Sequence, residues 1–210
     1  MIRSIFPDPR GIFMERYPIT TKIKSGTNVL IRPLTRDDGP ALLAFFRALP
    51  ADDRLFLRED VTKQAVIDKW IAQLDYEKVL PIIAEKDSVI VGDATLHFNQ
   101  HGWCRHMADI RCVVAREFQR EGLGTILMHE LVSHASQKGT DKIRAEMMGT
   151  QIYAQMAFRR LGFRKEAELK DFVVDIEGRL HNLVIMVNDV SELWKKMADL
   201  LIDYDLSVED

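Results

Sequence analysis

The tightest constraint in this chain is a junction. An apolar, partly β-branched stretch containing Ile110, Cys112, Val113 and Val114 leads into Gln119-Arg120-Glu121-Gly122-Leu123-Gly124, and an amphipathic segment leads out of it. Leu123, Ile126, Leu127 and Leu131 recur at helical spacing, so the junction joins a strand to a helix running from Gly122 to Lys138. Two glycines there remove the Cβ atoms that would hold an anion away from the backbone. The first turn of a helix carries N–H groups without intrahelical partners, and the helix dipole adds positive potential at the same end. A phosphate or pyrophosphate is therefore expected on the backbone of Gln119 to Thr125.

A pattern of Gln or Arg, two free positions, Gly, one free position and Gly or Ala arises by chance roughly 0.2 times in a chain of ordinary composition and this length. Context has to separate a cradle from an ordinary glycine turn. No Gly-Lys-Ser/Thr closes the loop, which excludes a P-loop, and the three-glycine dinucleotide fingerprint is incomplete.

With 210 residues, 47% of them hydrophobic, the chain can bury one sizeable core, and no compositional break divides it. Its net charge of −3, without runs of like charge, argues against a nucleic-acid partner. Met1 to Arg16 mixes Arg, Asp, Pro and Glu with apolar residues, unlike a signal peptide, and no window approaches a membrane span. Cys104 and Cys112, placed on one strand and one side of it, sit too close along that strand for a disulfide. Reduced thiols and a cytoplasmic location are expected.

Tyr17 to Lys24 and Val29 to Pro33 flank Ser25-Gly26-Thr27-Asn28, a hairpin signal. Thr35 with Asp38 caps a helix carrying Leu42, Phe45, Phe46 and Leu49 inward, and Thr62 caps a second with Val66, Ile67, Trp70 and Leu74. Val79 to Ala84, Val89 to Phe98 and Arg105 to Val114 read as a three-strand meander. After the junction helix come a strand (Lys142 to Met148), a helix (Gln151 to Leu161) and two strands either side of Glu177-Gly178. Asp189 and Glu192 box the start of a last helix with Leu193, Met197 and Leu200 on its apolar side.

In this setting the chain resembles the GNAT superfamily of acyl-coenzyme A dependent N-acyltransferases. The likeness rests on the Gln119–Gly124 hexapeptide, on Asp109 to Val114 before it, on Leu161-Gly162-Phe163, and on Ile31-Arg32-Pro33-Leu34-Thr35-Arg36-Asp37-Asp38. It implies an α+β fold with a mixed, splayed sheet flanked by helices. The domain would span 28–188, with residues 1–27 as an N-terminal extension and 189–210 as a C-terminal helix and tail. Leu49-Pro50-Ala51-Asp52-Asp53-Arg54 and Leu57-Arg58 look most like the acetyltransferase domains of bacterial protein lysine acetyltransferases. Acetyl-CoA is the implied co-substrate, and a protein lysine or small-molecule amine the implied acceptor.

The resemblance carries roles onto particular residues. Gln119, Arg120, Glu121, Gly122, Leu123, Gly124 and Thr125 would hold the pyrophosphate. Cys112, Val113 and Val114 would present backbone to the pantetheine arm and the thioester carbonyl, where an N–H aimed at a developing oxyanion contributes about 3 kcal/mol. Gln151 and Phe158 fall where relatives carry an asparagine and a tyrosine that contact the coenzyme, and Phe158 has no hydroxyl to donate. A lysine amine, with pKa about 10.4, must lose a proton before attack. Asp109 occupies the position of a carboxylate in lysine acetyltransferases and is the first candidate for the base, directly or through water. His97, His101 and His106 are alternatives near neutrality. Arg54 and Arg58 suit a carboxylate or phosphate on the acceptor, and ion pairs with Asp52, Asp53, Glu59 or Asp60 would equally occupy them. No metal site is expected, since one strand cannot bring these histidines and cysteines into a tetrahedron. The loss of the tyrosine leaves a second reading, a catalytically silent acyl-CoA sensor. A homodimer is compatible with either.

Overall fold

The hairpin at Ser25-Gly26-Thr27-Asn28 joins β1 (Ile19–Lys22) to β2 (Asn28–Pro33) in a computed structural model that describes residues 16–54, 57, 59–175 and 177–190. A single 3-10 turn, Arg36–Asp38, leads into α1 (Gly39–Ala48), followed by short α2 (Ala51–Arg54) and α3 (Gln64–Ala72). Then come β3 (Val79–Lys86), β4 (Val89–Phe98) and β5 (Met107–Val114), a 3-10 turn Arg116–Phe118, and α4 (Leu123–Gln137). The described chain closes with β6 (Lys142–Met148), α5 (Ile152–Arg160), β7 (Arg164–Val174) and β8 (Leu180–Asp189).

The strands form one sheet in the order β1-β2-β3-β4-β5-β6-β8-β7. Every pair is antiparallel except β5 with β6, which α4 joins as a parallel crossover. That one parallel pair is short. It runs through Met107↔Lys142, Ala108↔Ile143 and Asp109↔Arg144 and stops there, although β5 continues to Val114 and β6 to Met148. The sheet therefore splays in its middle, directly beside the start of α4.

Helices cover both faces. Leu123, Leu127, Leu131 and Ala135 recur at i, i+4 along α4 and are fully buried against Leu80, Ile82, Ala84, Leu96, Ala108 and Ile110. On the other face Leu42, Phe45, Phe46 and Leu49 pack with Ile67, Ile83 and Ile90, and Trp70 meets the edge of Phe46 at 6.0 Å. Covered twice, the middle of β3 is buried without alternation from Leu80 to Ala84. An ion triad fixes the entry to α1. Arg32 donates to both oxygens of Asp38 at 2.7 Å and to Glu85 at 2.8 and 3.0 Å, while Thr35 donates its N–H (2.6 Å) and hydroxyl (2.8 Å) to the same Asp38 carboxylate.

Several local expectations are corrected. The turn ending in Cys104 and Arg105 closes with Met107 N–H donating to the Cys104 carbonyl at 2.9 Å, so β5 starts at Met107 and the two cysteines do not share a strand. Thr62 does not cap α3: its hydroxyl and N–H donate to Asp60, and the helix starts after Lys63. At Asp189, the expected cap, β8 ends and Val190 directly after it is helical, so that boundary stands; the carboxylate also accepts from Lys142 at 3.2 Å. The C-terminal helix with Glu192, Leu193, Met197 and Leu200, like most of the N-terminal extension, lies outside the described residues. No described helix is long and apolar enough to cross a membrane.

Candidate active site

The chain between β5 and α4 is built to expose backbone N–H groups. Phe118 turns inward against the core. Gln119 then donates through Nε2 to the Val114 carbonyl at 3.0 Å, tying the loop back to the strand it left, so that carbonyl is already used. Arg120 and Gly122 adopt positive φ, 62° and 89°. A non-glycine residue held in this region signals a loop over-determined by its surroundings, a common mark of ligand sites. Gly122 is the N-cap of α4 and has no side chain to satisfy the first turn, which also lacks acidic residues. The N–H groups of Leu123, Gly124 and Thr125 therefore face outward without an intrahelical acceptor.

The two loop glycines do different work. Gly122 is needed for its left-handed backbone. A Cβ on Gly124 would point back into the sheet, 3.6 Å from Val114 Cγ2 and 3.7 Å from Cys112 Sγ, and not toward an anion. Gly124 brings α4 close to β5, which corrects the expectation that both glycines clear the ligand side.

Two cations flank this turn. Lys24 donates its N–H to the Glu121 carbonyl at 3.0 Å, and its aliphatic chain lies over Gly122, with Cε 3.9 Å from where a Cβ there would stand. Arg120 lies over the exposed ring of Tyr153 on α5, 5.9 Å from its centroid. Sequence reasoning missed Lys24, because only the pairing of β1 and β2 carries it to a loop nearly a hundred positions away.

Of the other residues singled out, Cys112 is inert. Its thiol lies 3.9 Å from the Gly124 carbonyl, and burial, aided by the charge of Asp93, pushes it up to about 12. Gln151 precedes α5 and accepts from the Met148 N–H at 2.9 Å, closing the β6–α5 turn. Phe158 is buried, edge-to-face with Phe163 at 4.9 Å, and serves as core.

Asp109 stands on the last rung before the strands part, and Arg144 donates to it through Nε at 2.7 Å while also lying 3.5 Å from Glu146. The carboxylate expected to accept a proton is thus committed to a guanidinium, that of Arg144 on β6. His97 pairs across from Asp109 on β4. The His106 carbonyl accepts from Asp141 and Lys142 N–H groups at the other end of β5, and His101 lies in the exposed β4–β5 turn. The three histidines do not converge as a group.

Among the described residues, Arg54 makes its hydrogen bonds to carbonyls and not to a carboxylate. Its Nη1 donates to the carbonyls of Leu49 (2.6 Å) and Arg47 (3.4 Å), capping α1. Arg58 lies outside the described residues. On the same side of the sheet, Glu59 accepts from Trp70 Nε1 at 2.6 Å and Lys69 at 2.9 Å, and these bonds, with the charge of Arg111, hold its carboxyl low.

Asp93 is the other residue that sequence reasoning passed over. It lies on β4 between Ile83 of β3 and Val113 of β5, both part of the cluster under α1 and α3. It is buried, and among the described residues its carboxylate accepts one hydrogen bond, a long one of 3.5 Å from the Thr95 hydroxyl. Burial pushes its carboxyl up to about 7 against the opposing effect of Thr95. The available signal was a single acid inside Val89-Ile90-Val91-Gly92-Asp93-Ala94, an otherwise apolar strand.

A splayed β5–β6 pair, an uncapped helix start beside it and a positive-φ glycine between them define a coenzyme-binding acyltransferase fold. The chain belongs to the acetyltransferase (GNAT) family, whose model matches residues 43–163. Probable N-acetyltransferase 14 from Danio rerio is 34% identical over 87 residues, which are 41% of this chain and 30% of that relative. The ribosomal-protein-alanine N-acetyltransferase structure from Brucella melitensis is similar with a TM-score of 0.66 and 23% identity, over 76% of this chain and 99% of that one. An acetyltransferase from Salmonella typhimurium, solved with its cofactor acetyl-CoA, also superposes with a TM-score of 0.66, at 18% identity over 78% of this chain and 95% of that one.

Proposed function

We propose that this protein transfers an acetyl group from acetyl-CoA to a primary amine by direct attack within a ternary complex. The observation that carries this reading is the parting of β5 from β6 immediately beyond Asp109, next to an α4 start whose N–H groups lack a cap. The residues fit the coenzyme. Leu123, Gly124 and Thr125 would take the pyrophosphate on their N–H groups, with Lys24 and Arg120 adding positive charge. Val113 and the N–H of Val114 would line the arm where the sheet opens. Acetyl-CoA supplies an activated thioester; the protein supplies placement, an apolar wall and a proton acceptor.

Acceptor entry belongs to the face carrying Arg111, Glu59 and the Asp109–Arg144 pair, an arrangement of both charges suited to a polar amine such as a protein lysine. Likeness to bacterial protein lysine acetyltransferases in the stretch 49–58 supports a lysine acceptor over a small amine, within a cytoplasmic domain spanning 28–188. The buried Phe158 favours a second reading, in which the protein binds acetyl-CoA without turning it over.

One experiment separates them. Calorimetric titration with acetyl-CoA and assay of thiol release with an Nα-acetyl-lysine amide and an N-terminal alanyl peptide should show micromolar binding and amine-dependent release. Binding without release from either acceptor would favour the sensor, and absence of binding would sink both.

A further inference from the structure

Resting on that acetyl-transfer reading, we infer that Asp93, and not Asp109, is the group that accepts the proton of the attacking amine. The two carboxylates differ in what already holds them. Asp109 is bound by Arg144 at 2.7 Å, so a proton arriving there must displace an ion pair. Asp93 is buried, and among the described residues its carboxylate has just the weak hydrogen bond from Thr95; its basicity is raised by the same burial.

Position agrees. Asp93 is the direct cross-strand partner of Val113, the residue at the mouth of the splay, and the alternation of β4 sends Asp93, Thr95 and His97 to one face. That face also carries Arg111 and Asp109 of β5, and is the one packed by α1 and α3, opposite α4. Among the described residues, strand alternation puts Thr95 and His97 of its own strand and Arg111 and Asp109 of the next on the face of Asp93. From α3 and the segment before it come Lys69 and Glu59, which bond each other. Behind the sheet, the Cys112 thiol feels its charge. A charged carboxylate in this enclosure is strongly disfavoured until a proton arrives, which suits a base operating near neutrality.

The acceptor's ammonium proton first leaves to solvent; the neutral amine nitrogen then forms a bond to the acetyl carbon, the carbon–sulfur bond breaks, and the second proton that the nitrogen loses passes to Asp93 and from there to water. The sulfur leaves as thiolate and takes its proton from water, since Phe158 offers none.

The test compares the wild type with Asp93→Asn, Asp109→Asn and Thr95→Val, using acetyl-CoA with the Nα-acetyl-lysine amide from pH 5.5 to 9. Expected for Asp93→Asn are unchanged acetyl-CoA affinity, at least a ~100-fold fall in kcat/KM at pH 7, and disappearance of the inflection near 7. Asp109→Asn should keep that inflection. Thr95→Val, which leaves the carboxylate in place but removes its hydrogen bond, should move the inflection to higher pH, and it serves if Asp93→Asn does not fold. Carbon-13 NMR of aspartate carboxyls gives a readout independent of turnover. A carboxyl titrating near 7 that is absent from Asp93→Asn is expected, and none titrating above 5 would overturn the assignment. Retention of the inflection in Asp93→Asn and its loss in Asp109→Asn would return the role to Asp109. A wild type that binds acetyl-CoA without amine-dependent release, while the NMR titration stays near 7, would overturn the acetyl-transfer reading itself and with it the base.

Discussion

Gly122 and Gly124 look equivalent in the hexapeptide, yet their substitutions should diverge. Gly122→Ala forces a side chain onto a φ of 89°, costing about 1 kcal/mol and distorting the turn that presents the α4 N–H groups. Gly124→Ala adds a methyl at ordinary contact distances of 3.6 and 3.7 Å inside a helix, so stability should hold or rise by up to about 1 kcal/mol. Urea unfolding and calorimetric titration check both: weakened acetyl-CoA binding is expected only for Gly122→Ala, and equal losses would mean that the loop is not the cradle. The cradle was legible in the sequence because its chemistry is carried by backbone and by glycine spacing. Asp93 was not, because its interest comes from burial on the sheet face that α1 and α3 cover, and Lys24 was hidden because only the fold brings it to a loop nearly a hundred positions away. Phe158 was legible as a missing hydroxyl, whereas the commitment of Arg54 to the end of α1 needed the fold.

At the level of elements, every described strand and long helix had a sequence signature, and errors fell at the ends. Arg105 sits in a turn and Thr62 outside α3, since local hydrogen bonds to Cys104 and Asp60 decide those boundaries and periodicity does not. The early termination of the β5–β6 ladder was expected only through family resemblance; no residue pattern encodes it. The entry to α1 depends on Arg32. Burial alone would raise the carboxyl of Asp38, but the bonds from Arg32 and Thr35 outweigh it and hold that group low. Arg32→Ala leaves Asp38 and Glu85, with side chains 11% and 14% exposed, facing each other without a cation. A loss of about 3 kcal/mol is expected in urea unfolding. Combining Arg32→Met with Asp38→Asn and Glu85→Gln should recover part of it, and a triple variant less stable than Arg32→Ala would show that the triad stabilises the fold beyond neutralising its own charges.

Across the whole molecule, two buried titratable groups pull the pH dependence of stability in opposite directions. Asp93 has its folded pKa raised from 3.8 to about 7, so its contribution is full below pH 4 and is lost as pH rises through 7. His134, buried under Phe98, has its folded pKa lowered from 6.5 to about 4 by burial and then by Lys138. Its contribution is full above 6.5 and is lost as pH falls through 4. Each tenfold change in proton affinity between the folded and unfolded chain is worth roughly 1.4 kcal/mol, so over the same window each group contributes about 2 to 4 kcal/mol and the two nearly cancel. The wild type should therefore show a nearly level urea midpoint from pH 4.5 to 7, which hides both groups. Single variants uncover them: Asp93→Asn should gain stability as pH rises across that window, and His134→Gln should lose it. The double variant should be level again, because both titrating groups are then gone, one from β4 and one from α4. A wild-type midpoint that climbs steeply from pH 4.5 to 7 would show that Asp93 titrates as an ordinary carboxylate, and would remove at once its stability effect and its fitness as a base.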